Sequence, residues 1–232
     1  MTLKNNLLTA LILVIIFGHS LLYAQQSAYK ISGDSSYWDI PNNQMKYTGN
    51  AVFTSDRLTI SGNQVIAQES AKGKSETIRV SGRPAQFNEK ASSNSQSINL
   101  TAFEIYYDVA SKTIIASEQV HLRQSTNRQE TIEIFGDQLN LDQADDYQLA
   151  VLGSPLQITI KQDNEEPIKA TASQLKFNNK SEQFELLGSV ILTNPRGTMT
   201  AEKILYDMKT GILQVPKTPN RQVEIIQNKK SQ

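Results

Sequence analysis

The stretch Ala102-Phe103-Glu104-Ile105-Tyr106-Tyr107-Asp108 decides the fold, because close copies of it recur along the chain. Each copy has a small residue, a polar pair, an apolar residue, and then an aromatic or apolar residue followed by Asp or Asn. Clear copies are 136–142, 172–178 and 201–207, and weaker ones begin at Gly33 and Gly62. The steps between copies are 29, 40, 34, 36 and 29 residues. This period indicates stacked repeats, whose units cannot bury their apolar faces alone.

A second motif lies between these copies and consists of a Gly followed by alternating polar and apolar residues. It occurs at 49–53, 82–87, 153–158 and 188–192, and the copy at 117–122 has lost its Gly. Alternation at period two also marks Ile132/Ile134, Ile168/Ala170 and Val223/Ile225, and it is typical of half-buried strands. Beyond the N-terminal segment we find no helical spacing. The sequence therefore predicts an all-β chain built from repeated hairpins.

The large side chains of the first motif share one register. Trp38, Tyr107, Phe177 and Tyr206 occupy equivalent positions, with Ala67 and Leu141 as smaller members, so they are predicted to line one wall. Core packing is the simpler interpretation, and a groove for an apolar ligand is the alternative. Both can hold, because a folded sheet that is not fully closed exposes part of its inner face.

The N-terminal segment predicts export. Residues 1–24 contain one charge, Lys4, then a short apolar run and a plausible cleavage site, so we read them as a signal peptide. The alternative is an uncleaved membrane anchor, for which the apolar run is just long enough. Residues 25–227 then form one β domain, and residues 228–232 are predicted to be a disordered tail.

Composition and motifs exclude several functions. Without residues 1–24 the chain has 22 basic and 23 acidic residues, which leaves no footprint for nucleic acid. There is no Cys, no zinc spacing, no nucleophile elbow and no phosphate-binding Gly loop, so we expect no catalytic residue, metal or cofactor. The pairs Asp145-Asp146 and Glu165-Glu166 lie in predicted loops and do not suit glycoside hydrolysis. Alternation points His121 away from Val120 and Leu122, as an exposed strand residue.

The motifs together resemble the periplasmic lipopolysaccharide-transport protein A family, also called OstA-like proteins. The resemblance is carried by Lys30–Asp34, Met45–Val52, Leu58–Val65 and Gly82–Phe87, in the family's order, and it runs from about Tyr29 to Ile226. The family implies a twisted β-jellyroll with an open groove lined by apolar residues, which receives the acyl chains of lipid A. It also implies a head-to-tail protein bridge across the periplasm, between an inner-membrane anchored jellyroll partner and an outer-membrane translocon.

By position, the resemblance implies that Ile31, Phe87 and Tyr107 face the lipid. Alternation and register add three further lipid-facing residues, which are Phe53, Phe177 and Tyr206. Tyr29 stands where the family commonly has an aliphatic residue. The first strand, with Tyr29 and Ile31, and the last, with Val223 and Ile225, are the expected interface of a homo-oligomer, because unpaired strand edges recruit other strands. The chain is also about one repeat longer than the common form, and 131–160 is the candidate extra copy.

Two other functions are compatible with parts of the sequence. The first is the membrane-anchored partner of the same transport system, which has the same fold and retains residues 1–24. The second is a secreted carbohydrate-active β-solenoid, which requires carboxylates on a concave face where this sequence has apolar residues. An outer-membrane barrel is disfavoured by short strands and by the charged end Lys229-Lys230.

Overall fold

The computed structural model describes residues 29–55, 58–69, 76–90, 97–125, 131–143, 148–161, 166–178, 180–207, 209–210, 212–217 and 223–227. These residues form fourteen strands and no helix, which confirms the all-β prediction. Among them there is accordingly no helix that could cross a membrane. The strands are β1 (Tyr29–Ser32), β2 (Ser35–Asp39), β3 (Gln44–Ser55), β4 (Leu58–Glu69), β5 (Glu76–Glu89), β6 (Ser97–Asp108), β7 (Thr113–Ser125), β8 (Thr131–Asp142), β9 (Gln148–Lys161), β10 (Ile168–Asn178), β11 (Gln183–Asn194), β12 (Gly197–Asp207), β13 (Ile212–Gln214) and β14 (Glu224–Gln227).

All strands belong to one antiparallel sheet in which chain order is also spatial order. Strands β3 to β12 each pair with the next, and the two ends of the sheet are split. At one end β1 and β2 both pair with β3, and at the other end β13 and β14 both pair with β12. The sheet therefore has ten long strands between two split positions, and it is open at both ends.

A line of bulges crosses the middle of the sheet. Every pairing from β3–β4 to β11–β12 shifts register at its centre, so each long strand is divided into two halves. Bulges bend and twist the strand that carries them. The Gly of the second motif lies on this line, and Gly49 and Gly188 adopt φ angles of 72° and 78°. A left-handed φ has little cost for Gly, which explains these two positions. At Gly82 and Gly153 an added Cβ would instead lie within 3 Å of the backbone of Pro84 and Leu156.

The motif copy that lacks Gly adopts the same left-handed backbone conformation. On β7, Glu118 and Gln119 adopt φ angles of 63° and 54°, although neither is Gly. In β5 and β9 the equivalent position contains a cis peptide bond before Pro84 and Pro155. Strand β7 therefore bends at this position even though the motif copy at 117–122 lacks Gly.

The small residue that begins the first motif also lies on the bulge line. A Cβ added to Gly136 would lie 2.6 Å from the backbone oxygen of Leu152, and one on Gly62 would lie 2.6 Å from that of Ser81. Ala102 and Ala172 occupy the same position on β6 and β10 and are buried. Close approach of neighbouring backbones at the bend therefore requires a small residue here.

The bend folds the sheet over its own apolar face. Inward side chains of both halves form one continuous core, which includes the predicted alternating runs at Val120/Leu122, Ile132/Ile134 and Ile168/Ala170. The predicted run at Val223/Ile225 differs, because Val223 precedes β14 and all four residues of β14 are exposed. A bent, open antiparallel sheet of repeated hairpins is the twisted β-jellyroll that was predicted. Residues 1–24, predicted as a signal peptide, and residues 228–232, predicted as a tail, lie outside the described residues, as do residues 25–28.

Candidate functional site

One half of the folded sheet carries a continuous row of inward side chains, which we call the Tyr107 row. Its members are directly paired across successive strands, in the order Trp38, Met45, Ala67, Ile78, Tyr107, Ile114, Leu141, Leu149, Phe177, Phe184, Tyr206 and Leu213. The predicted common register of the first motif is therefore confirmed. Of the two interpretations of this register, core packing does not hold for its first member, because Trp38 is 60% exposed. No described strand lies beyond β2 to cover it.

The other half carries an equivalent row, which we call the Phe87 row. Its paired members are Ile31, Phe53, Ile60, Phe87, Leu100, Leu122, Ile134, Ile158, Ala170, Leu192, Met199 and Ile225. Phe53 and Phe87 are fully buried, whereas Ile31 is half-buried and Ile225 is exposed. Both rows thus run from one split end of the sheet to the other.

The two rows face each other across a single interior. The rings of Phe53 and Tyr107, from opposite halves, have centroids 6.1 Å apart at 58°, and Tyr29 packs 5.4 Å from Phe53. Burial, with smaller effects from the charges of Glu89 and Asp108, raises the pKa of Tyr107 to about 12. Phe177 and Tyr206 are also buried in the same interior. All six residues predicted to meet lipid therefore point inward.

Side chains fill this interior along the middle of the sheet. From β4 to β11 the members of both rows are buried, and they form part of one apolar cluster. The two half-sheets thus enclose an apolar interior, which their own side chains occupy from β4 to β11. A ligand in that space requires the half-sheets to separate or one end to be open.

The half-sheets meet along a seam, opposite the bulge line, where their outer strand ends come together. The Tyr29 hydroxyl on β1 donates to Glu76 at the start of β5, across 2.5 Å. Farther along, the amide of Gln143 after β8 donates to Glu89 at the end of β5, at 3.1 Å. Burial, followed by the hydrogen bond and charge of Glu76, raises the pKa of Tyr29. Two side-chain hydrogen bonds therefore connect the half-sheets along the seam of the apolar interior.

Sequence reasoning did not identify the seam residues. One signal was available, because Glu89 follows Ala85 and Phe87 at period two and so continues their inward face. Gln124 has the same property after Val120 and Leu122, and it is the one polar side chain that is buried among the described residues. The last inward position is thus polar on both β5 and β7, and on β5 it belongs to the seam.

The split ends of the sheet contain the predicted interface residues. Tyr29 and Ile31 lie on β1, Ile225 lies on β14, and Val223 lies just before β14. Exposed apolar side chains accumulate at both ends, including Trp38 at the first end and Ile212 at the last. Strands β1 and β2 run opposite to β3, and β13 and β14 run opposite to β12. Because β3 and β12 also run opposite to each other, the two split positions are mutually antiparallel.

The outer face is polar with a few aromatic contacts. His121 points outward, as alternation predicted, but it is not simply exposed, because its ring stacks on Phe135 at 4.1 Å and 11°. Burial lowers the pKa of His121, and its Nε2 has no hydrogen-bond partner among the described residues. Among the residues described, no cluster of His, Cys, Asp or Glu could hold a metal ion. Asp145, Asp146 and Glu165 lie outside them.

Comparison of the sequence with known protein families shows the family of this chain. A family model described as the LptA and LptD N-terminal domain of lipopolysaccharide transport proteins matches residues 30–147 and, again, residues 126–212. No curated protein matches the sequence. Among solved structures the chain is similar to LptH from Pseudomonas aeruginosa, described as the LptA-homologous periplasmic component of the conserved lipopolysaccharide transport device. That likeness covers 86% of this chain and 94% of the LptH chain, at 12% sequence identity and a TM-score of 0.32.

Proposed function

The chain belongs to the LptA/LptD N-terminal domain family and has a role in lipopolysaccharide transport, and from this premise we propose that it binds the lipid A acyl chains between its half-sheets. The observation that supports this proposal most directly is the pair of unbroken apolar rows. Each buried methylene contributes ~0.8 kcal/mol, so several acyl chains cannot cross an aqueous compartment uncovered. Two facing rows that run the length of the sheet supply a continuous apolar path, and we propose no catalytic step.

The seam is the proposed route by which acyl chains enter sideways. A hydrogen bond to a charged group contributes a net ~1.5–3 kcal/mol, whereas each buried methylene of an acyl chain contributes ~0.8 kcal/mol, so the bonds of Glu76 and Glu89 are weak compared with burial of a whole chain. Parting the half-sheets at the seam leaves the strand pairing within each half intact. The bulge line, where pairing is already interrupted, is the natural hinge.

Site-specific photo-crosslinking tests the lipid path. A photoreactive phenylalanine analogue at Phe87, Tyr107 or Phe177 should capture lipopolysaccharide, because these side chains face the interior. The same analogue at His121 on the outer face should not, and it serves as the matched control. Equal capture at inward and outward positions would show that lipid does not occupy the interior.

We further propose that copies of the chain join head-to-tail through the split ends. Pairing β14 of one copy with β1 of the next, and β13 with β2, keeps every neighbouring strand antiparallel. The same pairing places Ile225 beside Ile31 and Leu213 beside Trp38, so both rows continue across the joint. Such heterologous contacts extend into open chains. The inner-membrane anchored partner and the outer-membrane translocon would use equivalent edges, with the chain in the periplasm.

Mixing two charged variants tests the joint. Trp38→Asp should disable the first end, Ile225→Asp should disable the last end, and each variant alone should be monomeric in analytical ultracentrifugation. An equimolar mixture should form dimers only, because the intact last end of Trp38→Asp can pair with the intact first end of Ile225→Asp and no other intact ends remain. Ile191→Asp, which changes an exposed outer-face residue, is the control and should still form chains. A mixture that stays monomeric would contradict head-to-tail pairing.

The membrane-anchored partner of the same system remains the second candidate, because it has the same fold. The two differ in residues 1–24, which a cleaved signal loses and an anchor keeps. N-terminal sequencing of the protein purified from cells distinguishes them.

A further inference from the structure

The interior is open at the last hairpin, in contrast to the packed middle of the sheet. A cavity of about 580 Å³ lies between the β11–β12 turn and β14. Three of its lining residues, Leu192, Met199 and Ile225, are the final members of the Phe87 row. Asn194, Arg196 and Gly197 of the turn also line it.

The turn that forms the rim is held in a fixed conformation. The side-chain oxygen of Asn194 accepts hydrogen bonds from the backbone N–H groups of Arg196 and Gly197, at 2.8 and 3.1 Å. A Cβ at Gly197 would collide with the backbone oxygen of Ile226, so the Gly allows β14 to approach. This hydrogen-bonded turn therefore places Arg196 at the opening of the cavity.

The opposite end of the Phe87 row has an aromatic contact in place of a cavity lining. There the ring of Tyr29 packs against Phe53, and the hydroxyl of Tyr29 donates a hydrogen bond to Glu76. The two ends of the row thus differ, because the ring of Tyr29 packs over Phe53 near one end and the other end leads into the cavity at Arg196. A single molecule has an entrance to this row at its last hairpin.

We propose that this cavity binds the end of an anionic amphiphile, with its alkyl chain against Leu192, Met199 and Ile225 and its phosphate group on the guanidinium of Arg196. This proposal rests on the proposed lipid-binding function and specifies one site within it. The volume lies within the ~300–1,000 Å³ typical of small-molecule sites. A guanidinium binds phosphate through paired charge-assisted hydrogen bonds, and no Asp or Glu is among the residues that line the cavity.

Calorimetric titration of the full chain with dodecyl phosphate tests the site, below the concentration at which that amphiphile forms micelles. Arg196→Gln should weaken binding about tenfold, the equivalent of one charge-assisted contact. Dodecyl glucoside, which has the same chain without the phosphate, should bind wild type and Arg196→Gln equally. Met199→Trp should weaken both ligands by filling the cavity. Arg83→Gln, at an exposed arginine on the outer face, is the control and should bind like wild type.

The outcomes separate this inference from the function on which it rests. If Arg196→Gln and Arg83→Gln bind dodecyl phosphate alike while lipopolysaccharide still crosslinks to the interior, the Arg196 site is wrong and the proposed function stands. If wild type binds neither dodecyl phosphate nor lipopolysaccharide, both are wrong. Inorganic phosphate alone should not bind measurably, because the apolar lining supplies much of the affinity. Tight binding of inorganic phosphate would overturn the assignment to an amphiphile.

Discussion

Replacing Phe87 by Ala should cost far more stability than the same change at Phe135. Phe87 lies in the middle of β5, is 1% exposed, and is paired with Ile60 and Leu100 on either side. Truncating a fully buried Phe to Ala costs ~3–5 kcal/mol, since it removes apolar burial and leaves a cavity. Phe135 is 44% exposed on the outer face, and its main loss is the ring contact with His121, worth ~0.5–1.5 kcal/mol.

Urea denaturation followed by circular dichroism measures this difference. With a urea dependence of about 2 kcal/mol per molar, Phe87→Ala should lower the midpoint by ~1.5–2.5 M, and Phe135→Ala by less than ~1 M. If Phe87→Ala does not fold, Phe87→Leu provides a milder change at the same site. Equal midpoint shifts for the Ala variants at the two positions would refute the assignment of inner and outer faces.

Two further predictions concern the interior and the bend. Tyr107 should lower the free energy of unfolding by about 1.4 kcal/mol per pH unit between pH 10 and 12, because the unfolded chain ionises Tyr107 near pH 10 while the folded chain keeps it protonated to about 12. Tyr107→Phe should reduce this slope in denaturant titrations at fixed pH, and an unchanged slope would exclude Tyr107 as its source. Gly136→Val should destabilise the protein by at least ~2 kcal/mol in thermal unfolding, because its Cβ would meet the backbone oxygen of Leu152 at 2.6 Å. A melting temperature like that of wild type would mean that β8 and β9 do not approach closely there.

Much of the candidate site followed from the sequence. The common register of Tyr107, Phe177 and Tyr206 was correct because each lies five residues after the small residue at the bend. Residues at equal distance from the bend lie side by side on neighbouring strands. The inward direction of Phe53 and Phe87 was correct because alternation determines the face of a strand. Trp38 shows the limit of this reasoning, since its register was right while its burial was not. Register depends on spacing within the chain, but burial depends on whether another strand follows.

The sequence by itself determined the hairpins, the common register of the first motif and the inward face of each strand, because each depends on residues close together in the chain. Only the tertiary structure revealed the seam, the open cavity at Arg196 and the contrast between the two ends. The reason is that these features join distant residues, such as Tyr29 to Glu76, 47 positions apart, and Gln143 to Glu89, 54 positions apart. Nothing local in the sequence relates such pairs. They meet because the bulges fold the sheet and bring the outer ends of its strands together.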